Sequence, residues 1–185
     1  MSLGLLFIEL GRPEAAIVHF TEVVRLQPNL VEAHWRLGLA LATIGRIVEA
    51  LPAFAEAARL DPGSAPIRSD YGWALAQHGQ PAAAYEQLNQ ALRLKPDLVE
   101  ARHNMGRLLA ADGRIPEALT HLSEAVRLDP EFHDARISLA VALDRAGRRD
   151  EAAAQLREVL RRDPGNAAAA RMLSAMGKGG FPPRE

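Results

Sequence analysis

A fixed period of 34 residues governs this chain. Pro28, Pro62, Pro96, Pro130 and Pro164 fall on it, as do Gly11, Gly45, Gly79, Gly113 and Gly147. A second glycine series, Gly4, Gly38, Gly72 and Gly106, keeps the same step until Ala140 replaces it. Self-similarity at this spacing requires stacked copies of one supersecondary unit, each too small to bury its apolar face alone.

The copy Val99–Phe132 reads as two helices. Ala101, Met105, Leu108 and Leu109 lie on one face of the first, and Ala118, Leu119, Leu122, Ala125 and Val126 repeat helical spacing in the second. Gly113 sits where a helix end needs positive φ. Pro116 is tolerated in the first turn of the second helix, whose N–H groups have no intrahelical partner. Asp129-Pro130 ends that helix, because proline disfavours the α conformation of the residue before it. Helices of about 13 residues, roughly 20 Å long, are marginal alone in water. Each therefore depends on its partner and on the next copy. Gly106 with Ala118, and their equivalents Gly38/Ala50 and Gly72/Ala84, are the small residues that let paired helices approach.

The spacing, the small and aliphatic positions and the Leu-Asp-Pro ending resemble the tetratricopeptide repeat. The matching residues run Leu37, Gly38, Ala50, Phe54, Ala57, Pro62, then Tyr71, Gly72, Ala84, Leu88, Ala91, Pro96. They continue as Met105, Gly106, Ala118, Leu122, Ala125, Pro130, then Leu139, Ala140, Ala152, Leu156, Val159, Pro164. The resemblance implies an all-α, right-handed superhelical solenoid of helix-turn-helix repeats. The expected divisions are a partial repeat at 1–30, full repeats at 31–64, 65–98, 99–132 and 133–166, a terminal helix at 167–176 and a flexible tail at 177–185. The truncated first helix, Leu3–Leu10, suggests a segment of a longer protein and leaves Leu5, Leu6 and Ile8 uncovered. Pro52 falls inside a second helix, where a small bend is expected.

Members of this family line their concave face with first helices. The resemblance places Glu32, Trp35, Leu39 and Thr43 there, with Pro66, Ser69, Trp73 and Gln77, then Glu100, His103, Arg107 and Ala111, then Asp134, Ile137, Val141 and Arg145. Leu5, Glu9 and Arg171 extend the set at its ends. It implies a protein-interaction module, an adaptor or scaffold that holds a peptide or helix of a partner. The candidate contact residues are Trp35, Leu39, Trp73, Gln77, His103, Arg107 and Arg145. Tryptophan and arginine are enriched among residues that carry binding energy. For Trp35 packing between neighbouring first helices is the competing role, and for Arg107 and Arg145 solvation or pairing with Asp144. Two family specialisations are missing their residues. A chaperone-tail clamp needs lysine and arginine around the place of Asn104, and an asparagine ladder would need asparagine at Arg36, Asp70 and Ser138.

Other functions find little support. The six histidines show no metal-ligand spacing, and no phosphate loop or nucleophile elbow occurs, so no catalytic residue, metal or cofactor is expected. His19 and His121, at equivalent places on second helices, read as outer-surface residues. The net charge of −1, and arginines that alternate with acids in 133–166, exclude a basic stripe for nucleic acid. No apolar run is long enough to span a membrane. Twenty arginines against two lysines, with abundant alanine, suggest a bacterial gene of high GC content. The absence of cysteine fits a cytoplasmic protein, with the periplasm as the alternative if a leader precedes this segment. Self-assembly is the rival function, through apolar ends carrying Leu5, Leu6 and Ile8 at one side and Met172 and Met176 at the other. The run Phe181-Pro182-Pro183-Arg184 is expected to be disordered, or else a short extended ligand for a neighbour.

Overall fold

A computed structural model describes residues 2–177. Among them the chain forms eleven α-helices and no strand: α1 (Ser2–Glu9), α2 (Pro13–Leu26), α3 (Val31–Thr43), α4 (Ile47–Leu60), α5 (Ala65–Gln77), α6 (Pro81–Leu94), α7 (Val99–Ala111), α8 (Ile115–Leu128), α9 (His133–Arg145), α10 (Arg149–Arg162) and α11 (Ala167–Gly177). The odd-numbered helices are the first helices of their repeats. Gly177 closes α11 rather than opening the tail, and the remainder of the expected tail lies outside the described residues. The chain divides into two compact units, 1–101 and 102–185.

The local signals act as the sequence predicts. Gly11, Gly45, Gly79, Gly113 and Gly147 all have φ between 64° and 78°. A Cβ at any of them would meet nothing, so conformation and not space calls for glycine. At these ends the chain doubles back through a six-to-one bond, such as Arg46 N–H to Leu41 C=O at 3.0 Å. Pro13 and Pro81 open α2 and α6. Helix α4 continues through Pro52, whose side chain is exposed. The Asp before the repeat proline also has a use: Asp61 and Asp163 accept from the N–H two residues on, at 3.1 Å.

In the first unit Phe20 and Phe54 are fully buried and fill the gaps left by Gly4 and Gly38. A Cβ on Gly38 would stand 2.8 Å from the Phe54 ring. Leu88 plays that part opposite Gly72. In the second unit Leu122 faces Gly106, and Leu156 and Val159 are fully buried in α10.

A further fastening recurs between helices. His34 Nε2 lies 2.8 Å from the Pro28 carbonyl, Arg68 Nε donates to Pro62 O at 2.9 Å, and Arg136 Nη2 to Pro130 O at 3.1 Å. Arg68 and Arg136 also donate from Nη1 to Gln87 and Gln155, each at 2.9 Å. Each of these two arginines, on a first helix, ties the repeat proline before it to the second helix after it.

Candidate functional site on the first-helix faces

In the first unit the expected groove residues come from α3 and α5. Trp35 is half-buried against two apolar clusters, and its Nε1–H donates to Asp70 Oδ2 at 2.8 Å. The Arg36 guanidinium stacks over its ring, 5.0 Å from the centroid, while Arg36 Nε holds Glu32 at 2.6 Å. Both ends of the indole are thus engaged within the chain, the packing role the sequence left open. Burial pushes the Asp70 carboxyl up to about 6; the Trp35 bond pulls the other way, Glu100 adds to the rise and Arg36 opposes it. Leu39 and Trp73 pack half-buried on the same core as Trp35, and Gln77 is exposed at the end of α5. Leu5, expected to be uncovered, packs half-buried on that core too. Leu6 and Ile8 do face outward, 46% and 40% exposed.

The second unit holds a cavity of about 360 Å³. Its apolar lining is Ala110, Leu122, Ile137, Val141 and Met172, and its polar lining is His103, Arg107, Asp134, Ser138 and Arg145. The structure therefore brings His103, Arg107 and Arg145 together. His103 is the least accessible of them: it is buried, its Nε2 is 2.9 Å from Ser138 Oγ, and its ring meets Phe132 edge-on at 5.0 Å. Burial pushes its imidazole down to about 4, Arg107 adds to the fall and Asp134 opposes it, so it is neutral at physiological pH. Arg145 is exposed and donates to the Ala110 carbonyl at 2.9 Å. Asp144 pairs with Arg149 at 3.2 Å rather than with Arg145.

The resemblance puts Arg171 on the groove; it is exposed, and its neighbour Met172 lines the cavity. Two other sequence expectations are corrected. His19 and His121 are not outer-surface residues: both are half-buried, and His19 Nε2 and His121 Nδ1 are sealed from solvent without a polar partner. Met172 and Met176 are half-buried rather than bare. The arginines of 133–166 go largely into ion pairs. Arg148 holds Glu151, Arg161 and Arg162 share Glu158, each at 2.7 Å, and Arg162 also reaches Glu131. Among the described residues no group of three His, Asp or Glu side chains could hold a metal ion, and no helix is long and apolar enough to cross a membrane.

Two family profiles described as tetratricopeptide repeat match the chain, one over 1–65 and the other over 41–108 and 109–176. No curated protein matches it. Among solved structures, the MamA protein is 25% identical over 90% of this chain and 91% of its own, with a TM-score of 0.71. TTC0263, a thermophilic TPR protein in Thermus thermophilus, is 22% identical over 96% of both chains, with a TM-score of 0.82. YrrB, described as a TPR protein with an unusual peptide-binding site, is 23% identical over 92% of this chain and 88% of its own, with a TM-score of 0.67.

Proposed function

We propose, for a chain that belongs to the tetratricopeptide repeat family and is a protein-interaction module, that it works by holding a short peptide segment of a partner protein on its first-helix faces. The cavity of the second unit carries the reading. It joins an apolar floor of Ile137, Val141 and Met172 to the cations Arg107 and Arg145 and the carboxylate of Asp134. That combination suits an aliphatic or aromatic side chain flanked by charge. The apolar floor supplies contact area, and the charged rim selects orientation and speeds encounter. The half-buried pair Leu39 and Trp73 offers a second, more apolar surface in the first unit.

A displayed-peptide selection tests this, run in parallel on the wild type, on Ile137→Asp and on Trp73→Ala. Peptides that enrich on the wild type and vanish on Ile137→Asp, with helicity retained by circular dichroism, support the cavity. Equal enrichment on all three counts against both faces.

Self-assembly is the second reading. Leu3, Leu6, Leu10 and Val18 of the first two helices and the turn between them are 46–72% exposed. Covering them would gain about 25 cal/mol per Å². Light scattering at high concentration decides: a monomer unchanged by Leu6→Glu removes this reading.

A further inference from the structure

We infer that the cavity of the second unit recognises an extended partner segment that is basic at one end, aliphatic in the middle and acidic at the other, seated along α9. This rests on the reading of the cavity as a peptide site and names the class of peptide. One face of α9 carries the pattern. Asp134, Ile137, Val141 and Arg145 fall at i, i+3, i+7 and i+11, which a helix turns to one side. All four line the cavity. Asp134 is exposed in the first turn of α9 and Arg145 in the last, with the half-buried Ile137 and Val141 between them. Arg145 Nη1 donates to the Ala110 carbonyl on α7 at 2.9 Å, and both residues line the cavity. That bond fixes the guanidinium at its end of the site, and one bond does not exhaust the N–H donors of an arginine. Arg107 lines the cavity from α7, at the level of Val141 by the repeat. The middle carries no charge, because His103 is buried against Ser138 and neutral at physiological pH. The other full repeats lack this pairing: α3 has Glu32 and Thr43 at the two places, α5 has Pro66 and Gln77, and α7 has Glu100 and Ala111.

Length then sets the spacing of the ligand. Asp134 and Arg145 are eleven residues apart, about 16 Å along the helix axis. In an extended chain residues i, i+2 and i+4 share a face and span about 13 Å. Long charged side chains at the two ends cover the remainder. A segment of the form basic-x-aliphatic-x-acidic therefore sets its aliphatic side chain midway, between Ile137 and Val141, with its ends at Asp134 and Arg145. A helical ligand of that length, about 10 Å across, would occupy about 1,200 Å³. The cavity offers about 360 Å³, room for side chains and not for a helix. Charge then separates this ligand from others. Residues 102–185 hold fourteen basic and twelve acidic side chains, so general attraction alone favours an acidic peptide. An acidic residue placed against Asp134 meets a like charge, and such juxtaposition is what suppresses wrong partners. The mixed segment meets the opposite charge at both ends.

The test uses the full chain, wild type and Asp134→Lys, with folding checked by circular dichroism. The probes are three peptides blocked at both ends: Gly-Lys-Ser-Leu-Ser-Glu-Gly, the same peptide with glutamate at both charged places, and the same with lysine at both. Binding is read at about 0.05 M salt from the methyl NMR signals of Ile137 and Val141. The wild type is expected to bind the mixed peptide about fivefold more tightly than either uniform one, and Asp134→Lys to bind the doubly acidic peptide best. A wild type that binds the doubly acidic peptide as tightly as the mixed one overturns the inference. So does an Asp134→Lys chain that keeps the wild-type preference. If no probe binds the wild type while peptides from the displayed selection do, and are lost on Ile137→Asp, the charge assignment alone falls. If selected peptides also fail to bind, the cavity reading falls with it.

Discussion

Two glycines of one repeat fail for different reasons when changed to alanine. At Gly45 (φ 77°) the added methyl has room and the backbone is the obstacle, at a cost of about 1–2 kcal/mol. At Gly38 the backbone is helical and the Phe54 ring is the obstacle, an overpacking cost of about 1–3 kcal/mol. Denaturant midpoints should separate them through rescue: Phe54→Leu in the Gly38→Ala background recovers stability and does nothing for Gly45→Ala. Asp70 and His103, each shifted by burial, make opposite pH predictions. The Asp70 carboxyl is raised in the fold to about 6 from an ordinary value near 4. The unfolded chain gives up that proton first, so the fold loses stability as pH rises from about 4 to 6 and stays level above. Asp70→Asn keeps an acceptor for Trp35 and should flatten that slope, gaining about 1 kcal/mol at pH 7 once solvent screening is allowed for. His103 is depressed, so its contribution is complete above about pH 6.5 and is lost as pH falls toward 4. Its ring protons should report a neutral imidazole at pH 5. Neither shift was legible in the sequence, because each comes chiefly from burial, and the side-chain bonds that accompany it join residues 35 apart rather than 34. Trp35 to Asp70 and His103 to Ser138 both reach one position further along the next first helix. An alignment of repeats pairs Trp35 with Ser69 and so hides its partner.

At the scale of the helix, the period places every element, because proline and glycine act on φ and on N–H groups within a few residues of where they stand. What the period cannot show is how one helix is fastened to the next. Arg68 and Arg136 join a repeat-ending carbonyl to a glutamine on the following second helix. In the sequence they look like two more helix-surface charges. Arg136 is buried, and Arg136→Ala should destabilise by about 2–3 kcal/mol, since it strips partners from Pro130 O and Gln155 together. Arg136→Lys should not restore this, because an ammonium cannot reproduce the forked geometry. The exposed pairs on second helices form a contrast set. Breaking Arg127–Glu124, with side chains 67% and 32% exposed, by Glu124→Gln should move the unfolding free energy by under about 1 kcal/mol. Chemical denaturation of the three variants ranks these claims, and an Arg136→Ala no worse than Glu124→Gln would refute the fastening. The corrected histidines belong to this scale. His19 and His121 occupy the place of Gln87 and Gln155, the side of the second helix on which those glutamines accept from Arg68 and Arg136. Helical periodicity alone leaves that side ambiguous between core and solvent.

Over the whole molecule, the residues that make the fold repeat and those that would choose a partner do not. Gly38, Gly72 and Gly106 do one task in different copies, so they identify a family and carry nothing about a client. The apolar and charged sets are unequal along the chain: Trp35 and Trp73 stand in the first unit, while Arg107, Arg145 and Asp134 converge only in the second. Residues 1–101 hold eight basic and eleven acidic side chains, and 102–185 hold fourteen and twelve. A peptide anchored by Arg107 and Arg145 should therefore bind several-fold more weakly at 0.5 M salt than at 0.05 M, because the screening length of exposed cations falls from about 14 Å to about 4 Å over that range. Peptide binding to Arg107→Ala/Arg145→Ala should be weaker and nearly independent of salt. Titration of one selected peptide against both chains at the two salt concentrations distinguishes the cases. If both chains show the same salt slope, the attraction comes from the general charge of the surface and the two arginines do not read the ligand. If only the wild type shows it, the charge that recognises the peptide lies with the cations Arg107 and Arg145, beside the apolar floor supplied by α9 and α11.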